Sequence, residues 1–309
     1  MRYAALLVAL AGATVIASGV QPQFKSGVEA VYLDVTVQAP DGSIVRGLTK
    51  DDFVVFDEDV QREVAIFSDE PAPISVGVLI DTSGSMTGER MAAAIRAAEA
   101  LGRSLQSSDL WSISTFDSRR RTMIGWRPYD SKIINSLRAM PTSGATELFS
   151  SVADMVPYMR DTPHRKRAML VMTDGADNAI IGWSRQRQMY GGGGQLESAV
   201  VADSSAKARQ ALREGEVLLY ALGIAVASRS GAVHVPSLQA LAEPTGGSVV
   251  IASNFRDVEE GAQRIASELR QQYTLGFYPE SGAAGFRRIR VTTRHPDYRV
   301  RTRAGYSRH

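Results

Sequence analysis

Cysteine is absent from the 309 residues. Its absence excludes disulfides, thiolate metal sites, a cysteine nucleophile and a lipidated cysteine anchor. The chain also lacks a Gly-x-x-x-x-Gly-Lys-Ser/Thr loop, which rules out a P-loop nucleotide site; the glycine run at 191–194 has neither the lysine nor the strand–helix setting. No Gly-x-Ser-x-Gly elbow is present to support a serine hydrolase. The histidines, His164, His234, His295 and His309, fall in polar or flanking segments and read as surface residues. A net charge of +2 carries no global signal for nucleic acid, and no nucleic-acid partner is expected.

Long apolar runs are equally scarce. The one candidate is Ala4 to Ala17, preceded by Met1-Arg2-Tyr3 and followed by Ala17-Ser18-Gly19 and the polar Gln21-Pro22-Gln23. This is the layout of a secretory signal peptide over residues 1–19, with cleavage expected between about Ala17 and Gly19. The run is at or below the ~18–20 apolar residues that span a bilayer, and retention as an N-terminal anchor is the alternative. The mature chain is therefore expected to be exported, to the periplasm or the cell surface, without a transmembrane helix. An apolar content of 44% against 22% charged residues leaves it able to bury a substantial core.

Residues 28–70 read as strands. Val31, Leu33, Val35 and Val37 alternate with polar residues, Pro40-Asp41-Gly42 marks a turn, and Ile44-Val45 begins a return strand. Phe53–Phe56 and Val64–Phe67 are two further short strands, and Pro71-Ala72-Pro73 is a stiff linker. Over 74–271 nearly all-apolar strands alternate with amphipathic helices. Strands are expected at Ile74–Ile80, Leu110–Phe116, Arg167–Thr173, Val217–Gly223 and Ser248–Ile251, with Thr122–Trp126 as an edge. Helices are expected at Glu89–Leu105, Ser131–Ala139, Leu148–Arg160, Leu196–Glu214, Ser237–Ala242 and Val258–Arg270. This pattern predicts an α/β fold: a mostly parallel sheet covered by helices on both faces. Residues 272–306 return to strand character but are too few for a core of their own. They are expected to pack with 28–70 as a small β-sandwich-like unit, the acidic N-terminal flank against the basic C-terminal one.

Asp81-Thr82-Ser83-Gly84-Ser85-Met86 directly follows the apolar run Ile74–Ile80. An acid and two hydroxyls alternate beyond a buried strand, with no sulfur or nitrogen donor, which suits a hard divalent cation. On its own the motif is weak, since a solvated turn capping the next helix has the same composition. Two more segments strengthen it. Ser143-Gly144-Ala145-Thr146 puts a hydroxyl in a glycine-containing loop before a helix, and Met172-Thr173-Asp174-Gly175 ends another apolar strand with a carboxylate. All three should open on one edge of the parallel sheet, where ligands bind in such folds.

Here the chain resembles the von Willebrand factor type A (VWA) family, through "VGVLIDTSGSM", "GATELFSSV" and "AMLVMTDGADN". The flanks "VTVQAPDGSIVRGLTKDDFVVFDEDVQREVAIF" and "QQYTLGFYPE…GFRRIRVTTRHPDYRVRTRAGY" are similar to the VWFA-related proteins abundant in Acidobacteria. One departure is Asp59-Val60, where Asp-Gly would be expected at a turn. The resemblance implies a Rossmann-like VWA domain with a metal-ion-dependent adhesion site: Asp81, Ser83, Ser85, Thr146 and Asp174 around Mg²⁺, with Mn²⁺ or Ca²⁺ as alternatives. Ser83 and Ser85 would be direct ligands, Thr146 a ligand that comes and goes with conformation, and Asp174 direct or water-bridged. An Asp or Glu carboxylate from a protein partner would complete the shell, and Asp177 and Asn178 could line the rim. The implied role is cation-dependent protein–protein interaction, with no catalytic residues. A structural module with a vestigial site is the main alternative, and a metal-dependent phosphate-ester hydrolase the other. The hydrolase reading lacks a second acid at position 83, which is a serine. Arg119–Arg121 and Arg165–Arg167 could attract anionic polymers or lipid headgroups, but read first as solvated faces.

Overall fold

The computed structural model describes residues 29–175, 194–226, 233–280 and 282–308. The first strands are β1 (Val31–Gln38), β2 (Phe53–Asp57), β3 (Val60–Arg62) and β4 (Ile66–Ser68). The α/β region follows with β5 (Ile74–Asp81), α1 (Glu89–Ser104), β6 (Leu110–Phe116), β7 (Arg120–Arg127), α2 (Ile134–Leu137) and α3 (Leu148–Arg160). It continues with β8 (Lys166–Thr173), α4 (Gly194–Gly215), β9 (Leu218–Ile224), α5 (Val235–Ala242), β10 (Val249–Ala252) and α6 (Phe255–Arg270). The last strands are β11 (Tyr273–Phe277), β12 (Gly285–Thr293), β13 (Arg299–Arg301) and β14 (Gly305–Arg308).

The central sheet has the order β10-β9-β8-β5-β6-β7, all parallel except the antiparallel edge strand β7. Alternation along β5 explains the two helical layers. Ile74, Val76, Val78 and Ile80 pack against the alanine-rich α1 and against α6, while Leu79 packs with α3, α4 and α5 on the other face. Fully burying each such side chain contributes roughly 1.5–3 kcal/mol. Gly77 stands where a Cβ would lie 2.4 Å from Met159 Sδ and 2.6 Å from Met155 Cε, so a larger residue would push the ends of both methionines aside. After β5 the chain builds β6 and β7 to one side, then β8, β9 and β10 to the other. That reversal opens a crevice beyond the carboxyl ends of β5 and β8.

The flanking strands form two four-stranded sheets, β13-β1-β11-β4 and β14-β12-β2-β3. Each sheet joins strands from both ends of the chain, with Leu33 opposite Leu275 in one and Val55 opposite Val291 in the other. Leu33, Val35, Phe53, Val55, Tyr273, Phe277, Ile289 and Tyr306 share one buried core between them. The acidic and basic flanks meet as the charge pattern predicts: Arg287 grips buried Asp57 with two hydrogen bonds, 2.9 and 3.0 Å.

Some expectations do not hold. Ile44-Val45 makes only an isolated bridge from Ile44 to Gln38 instead of a return strand, because Gly47 (φ +80°) turns the chain away at once. The helix expected over Ser131–Ala139 shrinks to a 3₁₀ turn at Ser131–Ile133 and the single turn of α2. Polar β3 is a strand without a sequence signal, because Val-Gln-Arg carries no strand period. Its hairpin with β2 turns on Glu58 and Asp59, both with positive φ (49° and 66°). The glycine expected one residue later would suit that turn at position 59. Asp59→Gly is therefore expected to stabilise the chain by about 0.5–1 kcal/mol in urea unfolding, since the salt bridges it removes are exposed ones.

The two units meet through buried polar groups. Lys166, 3% exposed, donates to Leu269 O, and burial pushes its ammonium down to about 8 despite nearby Asp34 and Glu268. An unfolded lysine keeps its proton to about pH 10.5, so between these values the unfolded chain binds more protons and stability rises with pH. Below pH 8 the whole penalty is present. Lys166→Met is expected to remove this rise, worth up to about 3 kcal/mol, when unfolding free energies at pH 7.5 and 10 are compared with the parent's. Gly246 (φ +87°) and Gly247 lie at the same junction. A Cβ on Gly246 would meet the Thr302 backbone at 2.7 Å, and one on Gly247 would meet Leu219 O at 1.8 Å.

Candidate functional site

Asp81 ends β5 and is fully buried. Its Oδ1 accepts from Ser83 N (2.8 Å) and its Oδ2 from the Thr173 hydroxyl (2.6 Å). Burial pushes its carboxyl up to about 6, against the pull of those hydrogen bonds. Ser83 is buried and Ser85 is exposed, yet their hydroxyls lie 3.1 Å apart. Ser85 Oγ donates to Asp174 Oδ1 at 2.9 Å. Hence Asp81, Ser83, Ser85 and Asp174 form one connected cluster at the crevice between β5 and β8.

Thr146 is buried in a loop tied directly to that cluster. Gly84 N donates to Gly144 O (3.1 Å) and Ser143 N to Thr82 O (2.8 Å). Gly144 takes φ +83° in this approach. The Asp117–Arg119 turn after β6 supports it from behind, with Glu147 N donating to Asp117 O (2.9 Å). Asp177 and Asn178 lie outside the described residues.

Three participants escaped sequence reading. Thr173 orients Asp81, and Gly175 N donates to its hydroxyl at 3.2 Å. Asp117 stands at the carboxyl end of β6, but Arg121 (2.9 Å) and the Arg119 N–H (3.1 Å) occupy its carboxylate. Arg90, in the first turn of α1, pairs with Asp174 Oδ2 and also donates to Ser85 O (3.1 Å) and Val226 O (3.2 Å). A cation at a helix N-terminus opposes the helix dipole, and that oddity is a signal the sequence did offer.

Mg²⁺ takes oxygens at 2.0–2.1 Å, so adjacent ligands of its octahedron are about 3 Å apart. The Ser83–Ser85 and Ser85–Asp174 spacings, 3.1 and 2.9 Å, match such edges. They are ordinary hydrogen-bond lengths as well, so they admit the ion without requiring it. The donor set fits a hard cation: a hydroxyl that gives its proton to a carboxylate turns its lone pairs elsewhere, as Ser85 does towards Asp174. Among the described residues no three His, Cys, Asp or Glu side chains converge as a metal cluster, so any ion here depends on the hydroxyls. A separate cleft between the two units, lined by Tyr32, Asp34, Arg165, Glu216 and Arg303, contains none of these residues. Of its charges, Asp34 pairs with Arg165 and Glu216 with Arg303, while Arg213 lies over the Phe286 ring.

Residues 76–176 match the family described as von Willebrand factor type A domain. No curated protein matches the chain. Among solved structures it is similar to a von Willebrand factor type A protein from Catenulispora acidiphila, with TM-score 0.50 and 12% identity over 92% of this chain and 74% of that one. It is also similar to the PilB minor pilin from Streptococcus sanguinis, with TM-score 0.48 and 14% identity over 66% of this chain and 63% of that one. The vWF domain of the type V pili tip protein Mfa5 from Porphyromonas gingivalis gives TM-score 0.48 and 10% identity over 64% of this chain and 95% of that one. At 12% identity the likeness to the Catenulispora acidiphila protein is one of fold. Asp81, Ser83, Ser85, Thr146 and Asp174 all fall inside the matched span, at the carboxyl edge of a helix-covered parallel sheet: the chain carries a von Willebrand factor type A domain.

Proposed function

We propose that this chain is an exported binding protein that captures a protein partner through a metal-ion-dependent adhesion site. The observation that carries this reading is the cluster of Asp81, Ser83, Ser85 and Asp174 at the sheet's switch point, with the Thr146 loop hydrogen-bonded to it. Ser83 and Ser85 would hold Mg²⁺, or Mn²⁺ or Ca²⁺ in its place, with Thr146 and Asp174 adjusting around it. Bound there, the ion supplies an electrophilic centre for an Asp or Glu carboxylate of the partner. The protein's part is to hold oxygens of low total charge, so that the ion keeps its attraction for that carboxylate. No residue is placed as a catalytic acid, base or nucleophile. Export rests on the signal-peptide pattern of residues 1–19, and a periplasmic or cell-surface location follows from it. Among the described residues no helix is long and apolar enough to cross a membrane. We assign the adhesion function to the α/β region 74–271 and the supporting role to 28–70 with 272–306.

One observation favours the second reading, a structural module: the Arg90 ion pair already satisfies Asp174 without a metal. Affinity capture from a cell-envelope extract separates the two. Adhesion predicts a partner retained in Mg²⁺, released by EDTA, and lost with Thr146→Ala. Equal capture in EDTA supports the structural module. Phosphate-ester turnover that disappears with Asp81→Asn would establish the hydrolase instead.

A further inference from the structure

Both carboxylate oxygens of Asp174 are already engaged. Oδ1 accepts from the Ser85 hydroxyl at 2.9 Å, and Oδ2 faces the Arg90 guanidinium. Arg90 is held in that position, since Nη1 also donates to Ser85 O at 3.1 Å and Nε to Val226 O at 3.2 Å. Neither partner is well solvated: the Arg90 and Asp174 side chains are 19% and 7% exposed. The pair thus acts at short range in a partly dry setting, where one charge biases its neighbour far more than on an open surface. The cluster holds two carboxylates, Asp81 and Asp174, and one guanidinium, which pairs with Asp174 alone, so it presents a single net negative charge to a divalent ion.

We propose that Arg90 is a built-in counter-ion that sets the metal affinity of this site, holding it low until a partner carboxylate restores the missing negative charge. The inference rests on the adhesion-site reading and adds to it a residue and a regulatory consequence. Arg90 is a positioning residue: it acts through Asp174, drawing Oδ2 away from the crevice and cancelling its charge. Metal and partner then bind with reciprocal coupling, because each supplies the charge that the other needs. Without Arg90 the two carboxylates would suffice to hold the ion, and metal binding would no longer depend on the partner.

The test is calorimetric titration of the full chain with Mg²⁺ alone and with Mn²⁺ alone, comparing the parent with Arg90→Gln and Arg90→Lys. Glutamine keeps a donor towards Ser85 O and Val226 O but loses the charge; lysine keeps the charge. The expected result is at least about tenfold tighter metal binding by Arg90→Gln, and affinity within about threefold of the parent for Arg90→Lys. Unchanged affinity in Arg90→Gln, with only the melting temperature altered, would overturn it and leave Arg90 as a staple between α1 and the end of β9. Equal tightening in both variants would overturn it too, since charge would not be the cause. If the parent binds metal normally, the adhesion reading survives either of those failures. If no protein in the series binds metal, both fall.

Discussion

Asp81→Asn is expected to cut Mg²⁺ affinity at least about 100-fold, about 2.7 kcal/mol, while leaving the metal-free chain as stable as the parent or more so. The two effects share one cause. Asp81 is fully buried at the end of β5, and its carboxyl is pushed up to about 6. Its ordinary value is 3.8, so above pH 6 the folded chain holds a charge that burial disfavours, on the order of 2–3 kcal/mol at neutral pH. The sign follows from the raised value: the stability due to this group is complete below pH 3.8 and is lost as pH rises through 6. Asparagine removes that penalty and keeps both contacts. Its Oδ1 can accept from Ser83 N, and its Nδ2 can donate to Thr173 Oγ1, whose hydroxyl is free to turn. A buried charge kept at a cost to stability is what a site built for a cation would show. Calorimetry gives the affinity, and urea unfolding at pH 7 with EDTA gives the stability. A marked loss of metal-free stability would mean that Asp81 holds the fold and not the ion.

The second large effect is at the junction of the two units. Glu268→Ala is expected to destabilise the chain by about 3–5 kcal/mol. Glu268 on α6 is 4% exposed and pairs with Arg301 of β13 at 2.5 Å. Its Oε1 also accepts from the Tyr220 hydroxyl of β9 (2.6 Å) and from Thr36 of β1 (3.4 Å). Gln272 Nε2 donates to Thr36 Oγ1 (3.1 Å) and to Tyr220 Oη (3.3 Å), closing the network. Burial, reinforced by the Glu268 charge, drives the Tyr220 phenol well above its ordinary value, so it stays a donor at every working pH. Truncating Glu268 leaves the mostly buried Arg301 charge with only Gly247 O and removes the acceptor of two buried hydroxyls. The pair Lys50–Glu63 is the control, at 3.5 Å with side chains 45% and 85% exposed, and Glu63→Ala should cost less than about 1 kcal/mol. Equal effects in chemical unfolding would show that the junction is not held through Glu268.

What could be read beforehand follows from where information resides in a chain. β5 and β8 are buried on both sides, so their apolar runs stand out, and Leu148–Arg160 is a helix over the residues its pattern predicts. Pairing of the two flanks was legible because neither end has enough strands alone, and because the acidic residues around β2 call for a basic neighbour such as β12. Short polar elements were not legible: β3 and α2 are fixed by a turn and by packing. The same division applies at the site. Ser83, Ser85 and Asp174 could be read because strand ends and loop hydroxyls recur in a recognisable order. Arg90 shows in the sequence only as an unfavourable cation in the first turn of a helix; its partner does not show, since only the fold brings it to Asp174 from 84 residues away. Thr173 was hidden by adjacency, as a strand residue next to a more conspicuous acid.

Titration of the metal-free full chain with Mg²⁺ at pH 7.5, beside Asp81→Asn, tests the central claim most directly. The account predicts a single Mg²⁺ site in the parent and its loss in the variant, with the variant's fold unchanged by circular dichroism. Equal Mg²⁺ binding by both proteins, or none by either, would contradict it.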